Sequence, residues 1–203
     1  MYNPLFVNNC GVSASKQNMS SNKRKNWKIY KFGGSSLADT ACFVRVSKII
    51  LDSYYTNNSH NHGIVVSAMG GFTDFLIKIS EECTPESLFS SDEYKLISER
   101  ISVLSNDLLE ENESKEYLDN VFSDFDEIKN ILEQPLNSAD CGEKGEIIAG
   151  FGELWSARLM NMYLNKLLAE KKSAFLDSRK VLFLEKSDID HTVDLAKVQR
   201  KFF

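Results

Sequence analysis

The first third of the chain alternates between strand-like and helix-like hydrophobic patterns. Residues 27–32 (WKIYKF) carry aromatic and β-branched side chains in alternation, which predicts a strand. Apolar residues then recur at helical spacing up to about Tyr54, behind Asp39, whose carboxylate is placed to cap the helix. The predicted buried face of this helix comprises Cys42, Val46, Ile49 and Ile50.

A second strand and helix follow at once. Residues 63–68 (GIVVSA) form a short and mostly apolar run, which is typical of a strand buried on both faces. The chain turns at residues 69–71, and the stretch from Phe72 to Ile79 has a helical pattern. The order strand, loop, helix, strand, loop, helix predicts an α/β layered fold with right-handed crossovers.

Residues 86–134 show a helical period throughout. Two runs of apolar residues recur every three or four positions, which predicts an amphipathic helical hairpin that covers the domain. Residues 111–114 (ENES) are predicted to be its polar connection. A partner-binding coiled coil is the alternative, although about two heptads per helix are short for one. The runs are Tyr94, Ile97, Ile101, Leu104 and Leu108, and Leu118, Val121, Phe125, Ile128 and Leu132.

A long helix and a short strand complete the pattern. The stretch from Gly145 to about Leu168 has one apolar face and predicts a helix. Residues 173–177 (SAFLD) predict a strand that ends in a carboxylate.

Composition narrows the class of protein. The 203 residues carry a formal net charge of −5, which argues against a nucleic-acid binder, and their length suggests one domain or one and a half. No run of 18 apolar residues occurs, so no transmembrane helix is predicted. Four scattered cysteines and three histidines argue against a zinc site or a disulfide scaffold and favour a reducing, cytoplasmic compartment.

The two ends of the chain differ in character. Residues 1–26 are rich in Asn and Ser, contain no acidic residue, and are predicted to form a flexible basic tail ahead of an incomplete domain at 27–203. An organelle import signal is the alternative for this tail. Residues 56–62 (TNNSHNH) predict a polar loop in which His60 and His62 face solvent.

The loop after the first predicted strand is a candidate phosphate site. Lys31 stands at the strand end, and Gly33, Gly34 and Ser35 follow it. Glycines let backbone N–H groups approach an anion closely, and a neighbouring lysine adds a mobile positive charge. The spacing of a Walker A loop is absent, and a plain turn between strand and helix is the alternative.

The loop after the second predicted strand, residues 67–74 (SAMGGFTD), has the same character. Ligands of open α/β sheets gather at the carboxyl ends of the strands, so the two loops are candidates for one shared crevice. Ser67 and Thr73 are its polar candidates, although Thr73 is equally placed to cap the following helix.

A carboxylate in the last long helix is a third candidate. Glu153 lies among small and apolar residues in the segment 152–158 (GELWSAR). Its carboxylate either pairs with Arg158 or holds a cationic group of a ligand.

Four segments together resemble the aspartate kinases of the amino acid kinase family. The likeness is closest to the kinase portion of bifunctional aspartokinase/homoserine dehydrogenases of the methionine-pathway type. The segments occur in family order at family-like separation, over about residues 27–185. They are residues 31–39 (KFGGSSLAD), 65–68 (VVSA), 152–160 (GELWSARLM) and 175–179 (FLDSR).

The resemblance implies an activity and a fold. The activity is phosphoryl transfer from ATP with Mg²⁺ to the side-chain carboxylate of L-aspartate, the first step towards lysine, threonine and methionine. The fold is the N-terminal lobe of a three-layer α/β/α sandwich, with a helical hairpin insertion. Positioning and positive charge do most of the catalysis in such a reaction, because two anions must be brought in line.

The resemblance also implies roles for individual residues, with none of them a metal ligand. Lys31 would contact the transferring phosphate, and Glu153 would hold the α-amino group of the amino acid. The ATP phosphates would lie against Lys31, Gly33, Gly34 and Ser35, and the remaining substrate-binding residues would be Ser67 and Thr73.

Several features of the family have no counterpart in this sequence. They are a second glycine-rich loop with an arginine and an aspartate, the segments around the adenine, the regulatory domains and a dehydrogenase portion. We therefore expect the isolated chain to be weak or inactive as an enzyme. The resemblance also leaves a family-like homo-oligomer open. The alternatives are a kinase for glutamate, carbamate or a nucleoside monophosphate, and a non-catalytic module that pairs with a full-length subunit.

Overall fold

The structure, a computed structural model, describes residues 3–7, 26–56, 60–134, 141–168, 173–182, 184–186 and 191–193. Its strands are β1 (Asn3–Val7), β2 (Trp27–Phe32), β3 (Asn61–Val66), β4 (Ser173–Phe175), β5 (Leu184–Lys186) and β6 (His191–Val193). Its helices are α1 (Thr40–Thr56), α2 (Phe72–Glu82), α3 (Asp92–Leu108), α4 (Glu111–Glu133) and α5 (Cys141–Leu167). None of these helices combines the length and the apolar character that crossing a membrane requires.

The main sheet has four strands in the order β2-β3-β1-β4. β2 and β3 run parallel, with Phe32 opposite Val66, as the predicted strand, helix, strand unit requires. β1 lies antiparallel between β3 and β4, and β5 and β6 form a separate antiparallel ribbon. β1 falls inside the segment predicted to be a flexible tail, whose residues 8–25 lie outside the described residues.

The two faces of β2 have different surroundings. Tyr30 lies on the face towards α1, where its hydroxyl makes a hydrogen bond with Ser53. Trp27 and Ile29 alternate with Tyr30 and point to the opposite face, where they are 48 % and 61 % exposed. Lys31 shares that more open face because it lies two residues after Ile29.

α1 begins as predicted but buries a different set of residues. The backbone N–H of Cys42 donates to Asp39 Oδ1 at 2.8 Å, which confirms the predicted N-terminal cap. Ile49 is 46 % exposed and Cys42 is half-buried, so two of the four residues predicted to be buried are not. Compared with the prediction, the buried face of α1 is shifted so that it includes the ring of Phe43. The buried residues of α1 are Phe43, Val46, Ser47, Ile50 and Tyr54.

The prediction that His62 faces solvent is wrong. β3 begins at Asn61 rather than Gly63, which places His62 inside the sheet with no exposed surface. Its ring stacks on Tyr30 and meets Tyr54 edge-on, with 5.9 Å between ring centroids in both pairs. An imidazole that lies between two aromatic rings packs as part of the core. The polar residues around His62 in the sequence give no indication of these contacts.

α3 and α4 form the predicted hairpin, and it packs on the domain. α3 contacts α2, and α4 contacts α5. The predicted residues Ile97 and Ile101 of α3 and Val121 and Phe125 of α4 have no exposed surface. The coiled-coil alternative is therefore wrong for this hairpin, since its apolar faces are already covered within the chain.

The connection between the two hairpin helices is shorter than predicted. Residues 111–114 form the first turn of α4, because Glu110 and Glu113 make a reciprocal capping box. Ser114 is buried and its hydroxyl donates to Ser105 at 2.9 Å and to Asn106 at 2.7 Å. These hydrogen bonds between the helices explain why the polar Ser114 is buried, whereas Glu111 and Asn112 are exposed.

α5 joins the hairpin to the sheet. It begins at Cys141, four residues before the predicted start, and contacts β1, β3 and β4. The buried ring of Trp155 lies 5.0 Å from Phe125 of α4 and 6.4 Å from Phe72 of α2, between centroids. The strand predicted at residues 173–177 ends at Phe175, and Asp177 instead caps a 3-10 turn by accepting from the Arg179 N–H at 3.0 Å.

Candidate functional site

The loops that follow β2 and β3 touch each other through their backbones. A Cβ atom added to Gly34 would lie only 2.8 Å from the carbonyl oxygen of Ala68. A Cβ atom added to Gly70 would lie 3.4 Å from the carbonyl oxygen of Gly34 and 3.3 Å from the Cβ of Ala38. The absence of a side chain at Gly34 is therefore what allows the two loops to meet.

Backbone hydrogen bonds hold each loop in shape. The Ser67 N–H donates to the Phe32 carbonyl at 3.0 Å, which joins the ends of β3 and β2. The Ser36 N–H donates to Gly33 at 3.0 Å in the first loop, and the Phe72 N–H donates to Met69 at 2.9 Å in the second. Gly71 has φ +84°, a left-handed conformation that favours glycine and turns the chain into α2.

Lys31 lies at the mouth of the first loop. It is exposed at the end of β2, and a Cβ atom added to Gly33 would lie 3.8 Å from its Nζ atom. The ammonium group therefore lies beside the glycine pair, as the sequence predicts. Ser35 is exposed in the short 3-10 turn that follows, residues Gly34–Leu37.

α5 brings Glu153 to the same place. Burial raises the pKa of the Glu153 carboxyl, while a hydrogen bond from the Ala68 backbone and the positive charge of Lys31 oppose that rise. The preceding residue explains the close approach: a Cβ atom added to Gly152 would lie 2.8 Å from the Cβ of Ala68. Lys31, the second loop and Glu153 thus form one cluster at the end of the sheet.

Glu153 does not use Arg158 as its partner. The Arg158 guanidinium instead makes an ion pair with Asp124 of α4, which is 6 % exposed and also accepts from Trp155 Nε1 at 2.9 Å. The ion-pair alternative for Glu153 is therefore wrong. The Glu153 carboxylate instead accepts a hydrogen bond from the Ala68 backbone and lies near Lys31.

Thr73 occupies a different position from the one a helix cap would take. It is the second residue of α2, and the capping position is Gly71, which makes no side-chain capping bond. The side chain of Thr73 is exposed in the first turn of α2. Ser67 is half-buried directly after β3, so both residues lie at the carboxyl end of that strand.

The sequence gives no role to Arg100, which contacts both loops. Its guanidinium donates to the Gly70 carbonyl at 2.9 Å and to the Ala38 carbonyl at 3.1 Å. The signal that points to it is its spacing on α3, since it lies three residues after Ile97 and four before Leu104, both buried. A charged residue at the edge of a buried helical stripe needs a hydrogen-bonding partner there.

The cluster combines three chemical properties. It has an exposed positive charge on Lys31, a turn without side chains at the half-buried Gly33 and Gly34, and a half-buried carboxylate on Glu153. The first two suit a polyanion such as a phosphate chain, and the third suits an ammonium group. The arrangement fits a ligand pair in which one partner is anionic and the other carries an amine.

Known sequences match most of this chain. A profile described as "Amino acid kinase family" matches residues 26–200. The chain is 31 % identical over 163 residues to bifunctional aspartokinase/homoserine dehydrogenase 2 of Escherichia coli K12, a match that covers 80 % of this chain and 19 % of that protein. It is 25 % identical to the chloroplastic bifunctional aspartokinase/homoserine dehydrogenase 2 of Arabidopsis thaliana, over 80 % of this chain and 17 % of that protein. The chain thus spans about a fifth of these relatives.

Solved structures share the fold. E. coli aspartokinase III in complex with lysine and aspartate, in the T-state, has a TM-score of 0.64 at 20 % identity and matches 87 % of this chain and 36 % of that one. The same enzyme in complex with aspartate and ADP, in the R-state, has a TM-score of 0.60 at 20 % identity, with 86 % and 36 % coverage. The predicted fold class, part of an amino acid kinase domain, is confirmed.

Proposed function

Because the chain belongs to the amino acid kinase family, we propose that its site serves phosphoryl transfer from ATP to the side-chain carboxylate of L-aspartate. The curated relatives are named aspartokinases, and one structural neighbour was solved with aspartate and ADP. One observation in this chain supports the proposal most. The Lys31 charge, the two touching glycine loops and the Glu153 carboxylate lie together at one end of the sheet.

The glycine loop fits the phosphate chain of a nucleotide. Side chains at Gly33 and Gly34 would fill the space beside Lys31 Nζ and in front of the Ala68 carbonyl. With hydrogen at these positions, the backbone N–H groups of Gly33, Gly34 and Ser35 are open to phosphate oxygens. ATP supplies the phosphoryl group, and its Mg²⁺ shields the phosphate charge.

Lys31 offsets the negative charge of the two groups that react. Bringing a carboxylate up to a phosphate places two anions in contact, and the ammonium at the end of β2 lowers their repulsion. Its flexible side chain lets Nζ follow the group that moves from donor to acceptor. Lys31 is therefore the one residue among the seven candidates assigned to transition-state stabilisation.

The second loop and α5 hold the amino acid. Glu153 takes the α-amino group, because an ammonium offsets the burial that raises the pKa of its carboxyl. Ser67 and Thr73, at the end of β3 and in the first turn of α2, are the polar groups available for the rest of the substrate. With both ligands held, catalysis by these residues consists of orientation and charge compensation.

Calorimetric titration of the purified chain tests the proposal. MgADP and L-aspartate are each titrated into the wild type, and L-glutamate replaces aspartate in a parallel titration. Lys31→Ala is expected to weaken MgADP binding about tenfold, since it removes one charge-assisted contact to phosphate. Lys28→Ala is the matched control, because Lys28 leaves the same strand on the face of α1 and donates to Ser53 at 3.2 Å.

The outcomes separate the alternatives. Equal MgADP affinity in the wild type and in Lys31→Ala contradicts the assignment of Lys31. Tighter binding of glutamate than of aspartate favours another amino acid kinase. A folded wild-type chain that binds neither nucleotide nor amino acid favours a non-catalytic module.

A further inference from the structure

We propose that Arg100 of α3 is a positioning residue that locks the loop after β2 to the loop after β3. Its two terminal nitrogens reach two different segments of the chain. One donates to the Gly70 carbonyl at 2.9 Å, and the other donates to the Ala38 carbonyl at 3.1 Å. Ala38 ends the first loop and Gly70 lies in the second, so one guanidinium bridges both.

The rest of the Arg100 side chain is held by the second loop. The guanidinium carbon lies 4.7 Å from the centre of the Phe72 ring, in a cation–π contact. A Cβ atom added to Gly71 would lie 3.6 Å from Arg100 Nη1, so the guanidinium lies directly beside this turn. Burial lowers the pKa of the Arg100 guanidinium. Arginine side chains nevertheless keep their charge in proteins.

Arg100 adds a side-chain bridge to the direct contact between the two loops. Their direct contact is backbone against backbone, between Gly34, Ala68 and Gly70. Glycines leave no side chains to interlock, and they give a loop more conformational freedom than other residues do. A fork of two donors fixes both the separation and the rotation of the two carbonyls, which a single ammonium does not achieve.

The bridge matters for the proposed reaction, and this consequence depends on the proposed function. The first loop is assigned to the phosphates, and the second carries the groups assigned to the amino acid. A shift of either loop changes the distance between the two reacting groups, to which transfer is highly sensitive. Arg100 itself donates to backbone carbonyls, so it acts through the loops.

Hydrogen exchange of the ligand-free chain tests the bridge. The amides of Ser36 and Phe72 report on the first and second loops, since each donates to a carbonyl within its own loop. Arg100→Gln is expected to speed the exchange of both amides about tenfold, and Arg100→Lys to give a smaller acceleration of both. The control is Lys95→Gln, which removes a cation from the exposed face of the same helix and leaves both loops unchanged.

The pattern of exchange separates positioning from simple stabilisation. A residue that only stabilises α3 would speed exchange throughout α3 and α4, with no preference for the loops. Unchanged exchange in both loops, or a change in one loop alone, overturns the bridge. If Arg100→Gln does not fold, Arg100→Lys decides the matter, because it keeps the charge and the aliphatic stem but not the fork.

A ligand titration connects the bridge to function. MgADP is expected to bind Arg100→Gln about tenfold more weakly than the wild type, with partial recovery in Arg100→Lys. Full affinity in Arg100→Gln overturns the functional role. A wild-type chain that does not bind MgADP contradicts the proposed function instead, and the exchange measurement still decides whether Arg100 bridges the loops.

Discussion

A pair of glycines in α5 provides a sharp test of how closely the helix meets the site. A Cβ atom added to Gly152 would lie 2.8 Å from the Ala68 Cβ and 3.4 Å from Leu76 Cδ1. A Cβ atom added to Gly150, two residues earlier in the same helix, would have no neighbour within 4 Å. Alanine therefore raises helix propensity equally at the two positions, but it creates a close contact only at position 152.

The expected stabilities follow from these distances. Replacing glycine by alanine inside a helix stabilises it by about 1 kcal/mol, which is the expected gain for Gly150→Ala. Gly152→Ala gains the same amount but forces α5 away from the second loop, and overpacking of this kind costs about 1–3 kcal/mol. We expect Gly152→Ala to be less stable than Gly150→Ala by about that amount, or by several degrees in melting temperature.

Urea unfolding followed by tryptophan fluorescence measures this difference, because Trp155 is fully buried beside the contact. Ala68→Gly removes the methyl group that the new side chain would meet, so the double variant Ala68→Gly/Gly152→Ala should recover part of the loss. Equal stabilisation by Gly150→Ala and Gly152→Ala, with no coupling between residues 68 and 152, would refute close packing of α5 on the loop.

Two further variants test the charges of the site and its support. Burial raises the pKa of Glu153 above its value in the unfolded chain. Ionisation of Glu153 therefore lowers the free energy of unfolding as the pH rises from the unfolded-state pKa to the raised pKa, and it has no effect below the unfolded-state pKa. The urea midpoint of Glu153→Gln relative to the wild type should therefore rise as the pH increases from the ordinary glutamate pKa, about 4.3, through the raised pKa. A difference that does not change with pH would contradict this. Asp124→Asn should cost about 3 kcal/mol by thermal unfolding, because it leaves the Arg158 charge half-buried without its carboxylate, whereas Asp126→Asn on the exposed face of α4 should change little.

Local patterns in the sequence were sufficient to place most elements. The strand at residues 27–32, the cap at Asp39 and the apolar stripes of the hairpin depend on neighbours within one or two turns, which a hydrophobic period captures. The pattern failed where a polar residue finds a distant partner. His62 is buried because Tyr30 of β2 and Tyr54 of α1 flank it, and both rings belong to other elements than its own strand.

Local and distant contacts differ in the same way in the candidate site. Lys31 lies two residues before Gly33, so their proximity follows from the sequence alone. Arg100 lies 30 residues from Gly70 and 62 from Ala38, and Asp124 lies 34 residues from Arg158. These pairings depend on how the hairpin docks, which a period of 3.6 residues does not specify.

The α3–α4 hairpin therefore helps to position the site as well as packing on the domain. The Tyr94 ring of α3 lies 4.8 Å from Phe125 of α4, which lies 5.0 Å from Trp155 of α5. α3 carries Arg100 and α5 carries Glu153, so this row of aromatic rings joins the two helices that contact the loops. Because packed interiors deform little, a change in the hairpin core reaches the spacing of the loops as well as the stability of the domain.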